Sequence, residues 1–371
     1  MCSFASFVVS LKVILTHLIR CIGGGANVSS APPMSEQGTG EQDVLRSVPE
    51  PGARHPNSAR GRWENTMAKI VQFIHPGREF PVGETNATIR DVGRFDVDWS
   101  REPSHYRRLV KHAGSYRNSS GLLQQGELAF WTEWEGPTVA MRIGGARGRI
   151  SARFIHNVCY PIVPEDVGVE RERCCAACGD DVCGDGLLNT DPCVFGNTFK
   201  YSNCQQAENG VLRHLEIGSL ILFMSRIDGQ YYLDTAFIVG QEGVPYSTNK
   251  AHLLDCSQEY RALTLDRLSA NRNFTFYRGA VVAGSDDANP LFSFVPAREW
   301  TGNVDACGRC RLDIGSLNES VHADVFSHGL TQKFKSYDAD MNAIQNVWQE
   351  VVAQVTSQGF VLGVHFDWPT K

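Results

Sequence analysis

The chain has 371 residues, 42% of them hydrophobic, with 35 Lys plus Arg, 41 Asp plus Glu and a formal net charge of −6. That length and apolar fraction suit one large or two ordinary soluble domains with a real core, and the composition excludes a membrane protein. Val8 to Ile22 is apolar, but Lys12, His17 and Arg20 interrupt it. It is too short and too polar for a spanning helix, and no basic residue precedes it as in a signal peptide, so a cytoplasmic chain is expected.

From Gly23 to Asn65 the composition is Gly, Ser, Pro, Glu and Arg with almost no large apolar side chain. Such a stretch cannot offset the entropy of its own ordering and reads as disordered. Met67 then leads directly into a strand-like segment. Residues 1–66 are accordingly expected to be a disordered tail or a spurious upstream start, and 67–371 a single globular domain with a cysteine-rich loop at about 170–195. Met67 to Ile155 holds thirteen Lys plus Arg against nine Asp plus Glu, whereas His156 to Lys371 holds sixteen against twenty-seven. A polyanionic ligand would be met by the first half; ordinary surface fluctuation explains the same numbers.

Lys69 to Ile74 is a predicted first strand, and Pro76 and Gly77 break it. His75 stands at the exit, followed by Arg78 and Glu79, where strand-end loops display functional side chains. The histidine suits an acid–base or phosphate-binding role, or a plain turn position. The centre of the next segment, Ser104 to His112, reads as a short helix with Ser104 as N-cap. Arg107, Arg108, Lys111 and Arg117 are interleaved there with His105, Tyr106, His112 and Tyr116. Guanidinium groups grip phosphate oxygens and aromatic faces stack on bases, so this mixture suits a nucleotide or nucleic acid. Gly126 to Glu135 alternates as a strand and Thr138 to Ile143 reads as its hairpin partner. Trp131 and Trp134 fall on opposite faces, so one of them can line a cleft. Arg149 to Ile155 is a further strand ending at His156.

Ser219 to Arg226 and Tyr231 to Val239 are apolar, β-branched and aromatic, and Asp228-Gly229 supplies the positive φ angles of a tight hairpin. With that turn, Phe223 is expected opposite Asp234 and Ser225 opposite Tyr232, fixing a carboxylate in mid-strand. Asn273 to Ala283 and Leu291 to Val295 read as strands. Ser336 to Gln358 is the best helix, capped by Ser336 or Asp338, with Met341, Ile344, Trp348, Val351, Val352 and Val355 at helical spacing and Gly359 as its stop. Gly359 to Phe366 is a final strand. Strands dominate without βαβ alternation, so the expected class is β-rich α+β: a mixed or antiparallel sheet or barrel-like core with a C-terminal helix followed by a strand.

The chain has twelve cysteines. Cys175 with Cys178, and Cys307 with Cys310, are C-x-x-C pairs that would close a structural zinc site if they met across the fold; a local site from Cys174, Cys178 and Cys183 is the alternative. No cofactor is otherwise required. Cys204, in YSNCQQ, would be a nucleophile if a histidine lay beside it. The sequence places none there, and a buried inert thiol is the plainer expectation.

The strings HPGRE, GELAFWTEWEGP, ARFIH, TDPCVFG, YSNCQQ, GSLILF and YYLDTAFIV, over roughly Val71 to Gly240, resemble an uncharacterised family of bacterial hypothetical proteins. That resemblance implies no activity, and the cysteine-rich stretch around Cys174 to Cys183 departs from it. More loosely, GSLILF followed by YYLDTAFIV is similar to the small base-binding β-barrels of the pseudouridine-synthase-associated type. Two functions are expected. The first is a nucleotide or nucleic-acid binding domain with a basic–aromatic cleft of Arg107, Arg108, Lys111, Tyr116 and Trp131. The second is a transferase or hydrolase acting on a nucleotide-type substrate. In it His75 or His156 is the acid–base group, Asp234 or Glu79 its carboxylate partner, and Tyr201 and Asn203 orient the substrate. Convergence of His75, His156, Tyr201 and Asp234 in one cleft would favour the enzyme, and their scatter with the arginines lining a groove would favour binding. A structural or interaction role, with Asp234 simply fixing the core, is the third reading. Neither a membrane nor a particular oligomeric state is implied.

Overall fold

The computed structural model describes residues 67–75, 77–79, 106–134, 138–143, 152, 154–158, 190–266, 272–282, 290–302, 308–328 and 334–369. The expectations for residues 1–66 and for the cysteine-rich stretch lie outside them. In chain order the strands are β1 (Ala68–His75), β2 (Arg78–Glu79), β3 (Tyr106–Arg117), β4 (Leu123–Thr132), β5 (Thr138–Arg142), β6 (Phe154–Val158), β7 (Lys200–Tyr201), β8 (Leu220–Ile227), β9 (Gln230–Ile238), β10 (Val244–Ser247), β11 (Asn273–Arg278), β12 (Val295–Glu299), β13 (Cys310–Leu312), β14 (Phe334–Ala339) and β15 (Val361–Phe366). Two helices of eight or more residues accompany them among the described residues, α1 (Ile314–Val321) and α2 (Met341–Ser357). The class is β-rich α+β, with mixed and antiparallel sheets and a C-terminal helix followed by a strand.

One sheet has the order β13-β9-β8-β1-β14, with β1 parallel to β8 and the other neighbours antiparallel. Strand alternation gives it two apolar faces. Ile70, Leu220 and Leu222 join Ile344, Val347, Val351 and Val355 of α2 in one core. Val71, Phe73, Ile221 and Phe223 join Val110, Leu128 and Phe130 of the second sheet in another. Each such large side chain contributes about 1.5–3 kcal/mol by leaving water. The second sheet runs β15-β12-β4-β3-β6-β5, and β15 pairs with β3 as well as β12, so β3, β4, β12 and β15 close a ring of pairings. Gly114 permits that closure: a Cβ there would lie 2.6 Å from the His365 carbonyl and from the Phe366 ring.

The β8–β9 hairpin turns at Asp228 and Gly229, both at positive φ, as the sequence predicts. Ser225 faces Tyr232 as expected, but Phe223 faces Thr235 rather than Asp234. The register shifts between Phe223 and Met224, leaving Asp234 as the extra residue of a β-bulge, the device that re-aims a side chain out of a regular ladder.

Three further expectations are corrected. Ser104 to His112 is not a helix: its described part lies in the twelve-residue β3, where pairing with β4 and β6 overrides a weak local helical pattern. The strand from Gly126 does not form a hairpin with Thr138 to Ile143; β4 pairs with β3 and β12, and β5 pairs with β6. The terminal helix begins later than Ser336, which lies in β14; its N-cap is Asp340, whose Oδ1 accepts from the Ala343 amide at 2.7 Å. Gly359, at φ +76, ends it as expected. Asp340→Ala should lower stability by about 1 kcal/mol, read as a shift of the denaturant midpoint at constant slope.

Candidate active site

The β3–β4 pairing sets the first part of the site. Continuing its register by one residue beyond the pair Arg108 and Thr132 brings Glu133 opposite Arg107. The Arg107 Nη1 lies 2.5 Å from Glu133 Oε2, and its Nε donates to Asp234 Oδ2 at 3.1 Å. Arg107, Glu133 and Asp234 are all buried. Burial works against the charge on Arg107, but the two carboxylates outweigh it and raise its pKa above the ordinary arginine value. Asp234 also accepts from the Ser225 hydroxyl, and its Oδ1 lies 3.5 Å from Arg309 Nη1. Arg309 donates to the Gly77 carbonyl at 2.7 Å and lies with its guanidinium 3.7 Å from the Trp131 ring centre. Gly77 sits at φ +73, with the position of a Cβ 2.6 Å from Ser225 Cβ, so only glycine lets the chain leave β1 at this point.

His75 ends β1 beside this network. Its Nε2 is 3.9 Å from Glu133 Oε2 and 3.6 Å from the Cys204 Sγ. Cys204 follows β7 on an irregular segment that returns to Asp191. Asp191 Oδ1 accepts from the Ser202 amide at 2.9 Å; Oδ2 accepts from the amides of Asn203 at 2.9 Å and Cys204 at 2.7 Å. Complete burial pushes the Asp191 carboxyl up to about 7 against the opposing pull of those three N–H groups. The Tyr201 hydroxyl donates to the Cys204 carbonyl at 2.8 Å, and Gln205 adopts φ +59. Gln206 exchanges two hydrogen bonds with the backbone of Thr275, at 2.7 and 2.8 Å. Asn203 donates through Nδ2 to the Thr264 carbonyl at 3.3 Å.

Of the residues expected in an enzyme site, His75 and Tyr201 meet at Cys204, and Asp234 connects to His75 through Arg107 and Glu133. His156 stands apart: its Nδ1 is 2.8 Å from Thr138 Oγ1, and burial, reinforced by the charge of Arg108, lowers its pKa to about 2. Burial thus favours its neutral form. The backbone of Glu79 pairs with Arg107, and its side chain lies outside the described residues. The residues expected to form a basic–aromatic rim contact groups of their own chain, four of them in the interior and Lys111 at the surface. Arg107 is spent on two carboxylates, Arg108 is buried near His156, and Lys111 lies 3.2 Å from Glu127 Oε1. Tyr116 is buried, and burial with the nearby Glu299 carboxylate raises its pKa; Trp131 is covered by Arg309. Trp131 and Trp134 do belong to different cores, as their spacing requires.

Cys175, Cys178 and Cys307 lie outside the described residues. Cys310 is described; burial pushes its thiol up to about 12, and Gln358 Nε2 lies 3.6 Å from its sulfur. Among the described residues no group of three or more His, Cys, Asp or Glu is placed to hold a metal ion, and no helix is long and apolar enough to cross a membrane.

Glu133, Asp191 and Arg309 were not singled out from sequence. Glu133 becomes legible only once β3 and β4 are paired in register, and Asp191 lies in the TDPC string without any sign of what its carboxylate would hold. Arg309 has no local signal. Compared with family models, curated proteins and solved structures, the chain matches none.

Two measurements check this description. Arg107→Leu removes the buried counter-charge that two carboxylates share and should cost about 3–5 kcal/mol, whereas Lys111→Leu, which breaks an exposed pair, should cost no more than about 1 kcal/mol. The native His156 pKa lies below its unfolded value of 6.5. Between those two values the unfolded chain binds the extra proton, so this contribution to stability is complete above pH 6.5 and is lost as pH falls from 6.5 towards 2. His156→Gln should therefore flatten the fall in melting temperature on acidification; an unchanged acid limb would contradict the assignment.

Proposed function

We propose that this protein is an enzyme of the transferase or hydrolase type in which Cys204 is the nucleophile and His75 its general base. The observation that carries this reading is the 3.6 Å approach of Cys204 Sγ to His75 Nε2, with Glu133 3.9 Å from the same nitrogen. A thiol becomes an effective nucleophile when a neighbouring base takes its proton, and histidine is the side chain whose ordinary pKa suits that exchange near neutrality.

In the proposed cycle the Cys204 proton passes to His75 Nε2, and the thiolate attacks an electrophilic carbonyl carbon, forming a C–S bond and an oxyanion. Collapse of the adduct breaks the bond to the leaving group, which takes the proton from the imidazolium. Water or another acceptor then attacks the thioester, giving its proton to His75 and releasing Cys204. Glu133 favours the imidazolium while it exists. Arg107 and Arg309, which belong to the network that contains Glu133, are matched by Glu133 and Asp234. This balance favours a substrate that is neutral where it reacts, and it is a weaker basis for a phosphate held by Arg107. A nucleotide-type substrate would have to reach the site through other groups.

The test uses p-nitrophenyl acetate with the full chain. A burst of about one p-nitrophenolate per chain, with acetyl found on Cys204 by peptide mass spectrometry, is expected. His75→Gln should slow acylation by about 100-fold to 10,000-fold, and Cys204→Ser should abolish the burst. Acetylation of Cys256 in preference to Cys204, or a burst indifferent to His75, would rule the proposal out.

A further inference from the structure

We infer that Asp191 and Tyr201 are positioning residues that hold the Cys204 thiol within reach of His75, gripping the cysteine through both of its backbone polar groups. This rests on the reading of Cys204 as nucleophile and concerns how that nucleophile is kept in place.

Cys204 lies on no regular element, so no ladder of backbone hydrogen bonds fixes it. Two core-anchored side chains do so instead. The Asp191 carboxylate takes the amide of Cys204 and those of the two residues before it. A single buried carboxylate thereby sets three consecutive peptide planes, which neither an amide nor a hydroxyl could do. An amide at position 191 would turn an NH2 group towards at least one of these N–H groups, donor against donor. The Tyr201 hydroxyl takes the Cys204 carbonyl from the other side. Its ring is itself fixed, 5.5 Å from Phe223, 6.0 Å from Tyr277 and 6.3 Å from Phe237 between centres. Immediately downstream Gln205 stands in the left-handed region, and Gln206 is tied to Thr275. The cysteine is the pivot of a turn held at both sides, while His75 reaches it from β1, an element remote in sequence. The pairing therefore depends on the turn staying where these two side chains put it.

Position and charge predict opposite effects on the thiol. Among the described residues, titratable groups that contact Cys204 include His75, Asp191 and Tyr201, with Glu133 one step away against the His75 imidazole. Asp191, when ionised, opposes a neighbouring thiolate; if it acted through charge, removing it would lower the pH at which Cys204 ionises. If it acts through position, removing it separates the thiol from His75 and raises that pH towards the ordinary thiol value of about 8.5.

The experiment is the rate of iodoacetamide alkylation at Cys204, read by peptide mass spectrometry on the full chain across about pH 4 to 9. The wild type should show a midpoint below that of an ordinary thiol, and His75→Gln should raise it. Asp191→Asn should raise it similarly, and Tyr201→Phe, which removes one hydroxyl and keeps the ring, should raise it by less. A midpoint that stays in place in both variants, or that falls in Asp191→Asn, overturns the inference. Should Asp191→Asn fail to fold, Tyr201→Phe decides by the same criterion. An ordinary wild-type midpoint that His75→Gln leaves alone overturns the nucleophile reading as well, and so separates the two failures.

Discussion

The interaction on which the site depends is the buried ion pair of Arg107 with Glu133 and Asp234. It joins the β3–β4 pair of one sheet to the bulge in β9 of the other, at the end of the apolar layer both sheets share. A guanidinium so placed has lost its hydration and is held charged only by two carboxylates at hydrogen-bond distance. The requirement is mutual, since without the arginine both carboxylates would lose a buried counter-charge in a medium of low dielectric response. The network therefore fixes Glu133, and Glu133 in turn faces the imidazole of His75.

Two kinds of order meet at that imidazole. His75 and Ser225 stand side by side at matched positions of the parallel strands β1 and β8, held by regular backbone pairing. Cys204 is held by side chains, on a segment whose geometry is set by a carboxylate, a phenol and a carboxamide, all reaching for main-chain atoms. Buried backbone groups must find partners, and where no strand is available polar side chains supply them. The result is irregular backbone whose polar groups are met by side chains, and it presents a thiol to a histidine 129 residues away in sequence.

The same physics explains why Arg107, Arg108 and Tyr116 of the basic–aromatic segment are buried. Arg107, Arg108 and Tyr116 look in sequence like surface residues for an anionic ligand, because alternation of polar and aromatic residues is equally compatible with a strand buried on both sides. In β3 their neighbours are carboxylates and rings of the same chain. The helical reading of Ser104 to His112 failed for a related reason: a short polar stretch carries little intrinsic preference, and pairing with β4 and β6 decides it.

The sequence alone determined the features that depend on near neighbours. Asp228-Gly229 specified the β8–β9 turn, Gly359 the end of α2, and the recurrence of Ile344, Trp348, Val351 and Val355 the face that α2 buries. Asp234 was also legible as a carboxylate within an apolar strand, and His75 as a histidine at a strand exit. Only the tertiary structure decided what they touch. The approach of His75 to Cys204 and the contact of Arg107 with Asp234 join segments far apart in the chain, and the bulge that frees Asp234 and the three amides on Asp191, though closer in sequence, carry no local signal of their own. No local propensity encodes such distances, because they follow from packing two sheets together and from the need of every buried polar group for a partner.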